Sequence, residues 1–74
     1  MNKETIYDEQ IAPLMDQIIA ICKDNQIAML ASFSIPTDER PTLAVTTALL
    51  ADEYEPPDKY RLAKEVIIFG KSFN

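Results

Sequence analysis

The stretch IAMLASFSIPTDERPTLAVTTALL, residues 27–50, decides the fold. From Ile27 to Ile35 the larger side chains Ile27, Met29, Phe33 and Ile35 alternate with the small Ala28, Ser32 and Ser34, with Leu30 breaking the rule. From Thr42 to Leu50 the same alternation sets Leu43, Val45 and Leu49 against Ala44, Thr46 and Ala48. A period of two is the signature of a strand, because successive side chains point to opposite faces. Between the strands stands PTDERP, with proline at both ends and Asp38 inside, a turn composition. A connection this short pairs its strands antiparallel, as a hairpin. The hydroxyls and charges of this stretch also suggest a polar active-site loop. In the hairpin reading the hydroxyls fall mainly on the small-residue parity, and Asp38, Glu39 and Arg40 form a solvated tip.

Upstream, Ile11, Leu14, Met15, Ile18, Ile21 and Cys22 recur at spacings of three and four, with Asp16, Gln17, Lys23 and Asp24 largely off that stripe. This predicts an amphipathic helix up to Lys23. Pro13 has no N–H to donate and is comfortable only in a first turn or at a kink. A helix beginning near Ala12 and a longer, kinked one both satisfy it; the longer is preferred because Ile6, Tyr7 and Ile11 extend the same apolar surface. Asn25, a residue that enters left-handed backbone cheaply, is the expected stop.

Downstream, paired prolines in ADEYEPP end the second strand, and a helix opens at Pro57 or Asp58 and runs to Phe69. Tyr60, Ala63, Val66 and Ile67 share one side of it, and Gly70 supplies a terminator. Val66–Phe69 as a third strand is the alternative, since β-branched runs suit either state. Glu55 with Lys59, and Arg61 with Glu65, have helix-surface ion-pair spacing. The expected fold is therefore α+β: helix, antiparallel β-hairpin, helix (αββα), in one small domain over residues 1–74, with both helices on one face of the sheet. The other face carries Ala28, Ser32, Ser34, Ala44, Thr46 and Ala48. Two outcomes stay open for it: a homodimer through the hairpin, extending or stacking the sheet, and a monomer with an exposed polar face.

Composition narrows the chemistry. The chain has 74 residues, 12 acids against 7 bases, a net charge of −5, no histidine, one cysteine and one glycine. The negative charge repels phosphate backbones and anionic membranes and argues against direct nucleic-acid binding. No apolar run is long enough to span a bilayer. One thiol cannot form an internal disulfide, and no signal peptide is evident, which suggests a reducing cytoplasm. Without histidine there is no imidazole base, no Ser–His or Cys–His pair and no histidine zinc site. A single glycine rules out the glycine-rich phosphate loops. Cys22 lies on the apolar stripe and reads as a buried small hydrophobe.

Carboxylates remain. Asp52, Glu53, Glu55 and Asp58 place four acids in seven positions, followed at once by Lys59, Arg61 and Lys64. DEYEPPD lacks the ligand spacing and central glycine of a calcium loop, so no metal or cofactor is expected. Acids favoured near a helix N-terminus are the plainer reading. An acidic contact patch with Tyr54, Tyr60 and Phe73 as aromatic neighbours is the functional one. A third possibility, a small hydrolase or transferase using carboxylates and magnesium, requires those acids to converge in a pocket.

The segments AICKDNQIAMLASFSIPTDE, TTALL and YEPPDKY resemble those of short uncharacterised proteins encoded by bacteriophages and prophages of enteric bacteria, over about residues 11 to 60. The resemblance carries no catalytic residue. It implies an accessory protein, not an enzyme, acting in the cytoplasm of the bacterial host on a host or phage protein. The contact candidates are Asp52, Glu53, Tyr54 and Glu55 in the acidic segment and Ser32, Ser34 and Thr46 on the hairpin. The alternative is an acidic nucleic-acid mimic that inhibits a DNA- or RNA-handling host enzyme.

Overall fold

The computed structural model describes residues 2–69. In chain order it contains α1 (Lys3–Ile6), a π-helical segment (Tyr7–Ile11), α2 (Ala12–Asp24), β1 (Met29–Ser34), β2 (Ala44–Leu49), a 3-10 turn (Asp52–Tyr54) and α3 (Asp58–Phe69). This is the expected αββα order, with the helices packing against the hairpin. Val66–Phe69 is helical, so the third strand is not formed. The terminating role expected of Gly70 and the position of Phe73 lie outside the described residues.

The first helix is the longer one, continuous through Pro13. Asn2 caps it, its side-chain oxygen accepting from the Thr5 N–H at 2.8 Å. In a regular α-helix Pro13 would face the carbonyl of Glu9, to which it cannot donate and against which its ring would press. The backbone widens instead, and the Ala12 N–H bonds the Tyr7 carbonyl, five residues back. The widening has a second consequence. In a uniform α-helix, at about 100° per residue, Tyr7 would sit roughly 70° away from the line of Met15 and Cys22. The wider turn winds less per residue and brings Tyr7 round to that line. All three are buried.

Asn25 closes α2 but is not the left-handed residue; that is Gln26, at φ 54°. The Gln26 N–H donates to the Lys23 carbonyl and the Ile27 N–H to the Cys22 carbonyl at 2.8 Å, a Schellman closure that requires left-handed backbone one position later than expected. Asn25 contributes differently, donating from Nδ2 to the Ile21 carbonyl at 2.9 Å.

The strands pair antiparallel with Met29 opposite Leu49, Phe33 opposite Val45 and Ser34 opposite Ala44. The ladder continues to Ile35, whose N–H bonds the Leu43 carbonyl. Thr37 and Arg40 exchange backbone bonds and the Thr37 hydroxyl accepts from the Arg40 N–H at 3.0 Å, leaving Asp38 and Glu39 at an exposed tip. Register places Met29, Phe33, Val45 and Leu49 on one face and Leu30, Ser32, Ser34, Ala44, Thr46 and Ala48 on the other. The first face receives the N-terminal helix: the rings of Tyr7 and Phe33 lie 5.5 Å apart, inclined at 57°.

The core is small. Tyr7, Met15, Cys22 and Ile35 are its buried side chains among the described residues. The Cα trace spans 38 × 35 × 10 Å, a thin slab. Leu14, Ile18 and Ile21, expected in the stripe that packs on the sheet, are exposed instead. A hairpin of two strands is too narrow to cover an apolar arc that runs from Ile21 round to Ile19.

Candidate functional site

Two surfaces hold the residues singled out from the sequence. The first is the segment after β2. Ala51 leads into the 3-10 turn, and Glu55 closes it in left-handed backbone at φ 51°, immediately before Pro56. Asp52, Glu53 and Glu55 are exposed and Tyr54 is half-buried. Arg61, one turn into α3, reaches back: its Nη2 donates to the Leu50 carbonyl at 2.9 Å and to Asp52 Oδ1 at 2.6 Å. This replaces the expected Arg61–Glu65 pair. The Glu55–Lys59 helical spacing does not apply either, because α3 begins only at Asp58.

The second surface is the small-residue face of the hairpin. Ser32 and Thr46 stand directly opposite each other, and their hydroxyl oxygens are 2.9 Å apart and hydrogen-bonded. Ser34 lies exposed two residues along, across from exposed Ala44. The structure thus brings Ser32, Ser34 and Thr46 together on one face, as register required. They do not join the acidic segment in a single pocket.

A shallow hollow of about 340 Å³ runs along Ser32 and Ser34, walled by Ile6, Ile11 and Phe33, and carries no carboxylate. Two further open hollows lie nearby. One, of about 510 Å³, is lined by Ala48, Leu50, Ala51, Arg61, Lys64 and Glu65. Its single carboxylate stands beside two cationic side chains. The other, about 480 Å³, lies between the start of the N-terminal helix and the hairpin tip, with Lys3, Glu4, Asp38 and Glu39 on its walls. In neither do the acids of residues 52–58 converge, so the arrangement that carboxylate-and-metal hydrolysis needs is not assembled in either hollow.

No family model, curated protein or solved structure matches this chain.

Sequence reasoning missed two features. Arg61 was assigned to the wrong carboxylate because i,i+4 spacing was weighed without the strand end that lies beside α3. The exposed stripe Leu14, Ile18 and Ile21 was counted as core. Its signal was present in the breadth of the apolar arc, which exceeds what a two-stranded hairpin can bury. No helix among the described residues is long and apolar enough to cross a membrane.

Proposed function

We propose that this chain is a small accessory protein of a bacteriophage or prophage that acts, without catalysis, by binding another protein in the bacterial cytoplasm. The observation that carries the binding part is the imbalance between buried and exposed aliphatic side chains. Leu14, Ile18, Ile21, Ile27, Leu62 and Ile68 all stand at 45% exposure or more, around a core of four buried side chains among the described residues. A soluble monomer rarely leaves that much large apolar surface uncovered, and such surface marks protein contacts. The phage context rests on the resemblance of residues 11 to 60.

The hairpin face and the 52–55 turn are the other contact candidates. Ser32 and Thr46 share one hydrogen bond, so a partner that displaces water from that face has to accept only the one remaining hydroxyl proton. Small side chains there also let another backbone approach closely, and a homodimer through the hairpin is one such contact. The competing reading, an acidic mimic of nucleic acid, is weakened by Arg61, which occupies one of the four clustered carboxylates.

The test is capture from bacterial lysate with the tagged chain, followed by reconstitution of any captured protein in purified form. A partner held by the wild type and lost on Ser32→Arg with Thr46→Arg, or on Tyr54→Ala, supports the reading. Recovery no greater than from the bare matrix contradicts it. A complex that dissolves steeply with salt and is lost when Asp52, Glu53 and Glu55 become amides would favour the mimic instead.

A further inference from the structure

The Ile35 N–H bonds the Leu43 carbonyl, and the pairing runs on from there to Met29 opposite Leu49. In an antiparallel ladder such bonds join every second residue. Val45, Thr47 and Leu49 therefore turn their main-chain groups toward β1, while Ala44, Thr46 and Ala48 turn theirs outward. The next outward carbonyl along this edge is that of Leu50, and Arg61 Nη2 donates to it at 2.9 Å. A side chain thus closes the end of the row, and among the described residues the three positions before it have no such partner.

The two edges of the hairpin are not equivalent. Along β1, Ile6 and Ile11 of the N-terminal helix share a hollow with Ser32, Phe33, Ser34 and Ile35, and α3 also approaches this strand. β2 packs chiefly on β1. Edge strands that stay single usually carry a charge, a proline or a bulge. No charge or proline occurs from Thr42 to Ala51, and the register has no bulge.

From these observations we infer that β2 pairs antiparallel with β2 of a second copy of this chain, about a two-fold axis at Thr46, to make a continuous four-stranded sheet. The inference deepens the protein-binding reading by naming one partner and the edge that receives it. The open row is its own complement. With Thr46 opposite its twin, Ala44 lies opposite Ala48, and all three outward positions of each copy exchange both main-chain bonds. This register uses the whole row and stops short of Leu50, where Arg61 already stands. It sets Leu43 against Leu49 and Val45 against Thr47, and no like charges meet along the paired residues. On the small-residue face the Ser32–Thr46 hydrogen bond extends into a row of four hydroxyls, in which the twin Thr46 takes up the proton left over by the pair. Two strands alone make a marginal sheet, whereas four with an apolar face make a stable one.

Amide hydrogen exchange of the unmodified chain, read residue by residue by NMR at low and high protein concentration, tests this. The amides of Ala44, Thr46 and Ala48 exchange several-fold more slowly in the concentrated sample, where light scattering reports a dimer, while those of Val45, Thr47 and Leu49 are protected in both. Thr46→Lys opposes two like charges at the axis; it abolishes the dimer and the added protection and leaves far-UV circular dichroism unchanged. Ala44→Pro removes an outward N–H at the first position of the strand, where proline is tolerated, and weakens the dimer without disturbing the inward ladder. A monomer throughout the range, a dimer that leaves Ala44, Thr46 and Ala48 unprotected, or one that persists unchanged in Thr46→Lys overturns the inference. The protein-binding reading is judged separately by lysate capture, which a monomeric chain can still pass.

Discussion

Arg61 Nη2 lies 2.6 Å from Asp52 Oδ1 and 2.9 Å from the Leu50 carbonyl oxygen, so one guanidinium fastens α3 to the exit of the hairpin. The two bonds differ in what they hold. Asp52 is 96% exposed and its ion pair competes with water. The Leu50 carbonyl belongs to backbone that has just left the ladder and has lost its strand partner. Arg61→Ala therefore lowers unfolding free energy by about 1 kcal/mol, and Asp52→Asn by no more than a few tenths. Urea denaturation of both variants checks this, and equal losses would show that the ion pair alone matters.

The rings of Tyr7 and Phe33 join the N-terminal helix to the sheet. Tyr7→Ala removes a buried ring and costs about 3 kcal/mol or more, enough to unfold a domain with so small a core. Tyr7→Phe keeps the ring and the stability. A double-mutant cycle with Phe33→Leu is expected to give a coupling of roughly 0.5–1.5 kcal/mol. A coupling indistinguishable from zero would mean the rings are neighbours without mutual stabilisation.

Gln26 occupies left-handed backbone at φ 54° with a Cβ to accommodate. Gln26→Gly relieves that clash while preserving the Schellman bonds, and raises stability by about 1 kcal/mol. Thermal unfolding reads the gain as a higher midpoint. A lower midpoint would show that the Gln26 side chain makes a compensating contact.

The hydroxyl pair on the hairpin separates stability from recognition. Ser32→Ala removes a partly exposed hydrogen bond and costs about 1 kcal/mol or less. Ser32→Arg, on the same exposed face, leaves the fold intact but blocks a chain from packing there. Loss of captured partner with Ser32→Arg, but not with Ser32→Ala, is the expected pattern.

The hairpin was legible because period-two alternation is a local signal and its two proline-bounded ends fix the register. Which residues share a face followed from that register alone, so the Ser32–Thr46 pair could be anticipated as neighbours. The N-terminal helix was legible in extent, but the π turn was not: a helical period averages over the few degrees per residue that bring Tyr7 into line with Met15. Arg61 escaped because its partners come from another element. Leu14, Ile18 and Ile21 escaped for a related reason. Periodicity reports that a helix face avoids water, but not whether the chain's own sheet or another chain covers it.

The central claim is that the exposed aliphatic surface of this fold is completed by another protein chain. Capture from bacterial lysate with the tagged chain, followed by reconstitution with the purified captured protein, tests that most directly. The account predicts a partner held by the unmodified chain and lost on Ile18→Asp with far-UV circular dichroism unchanged. Recovery no greater than from the bare matrix would contradict it.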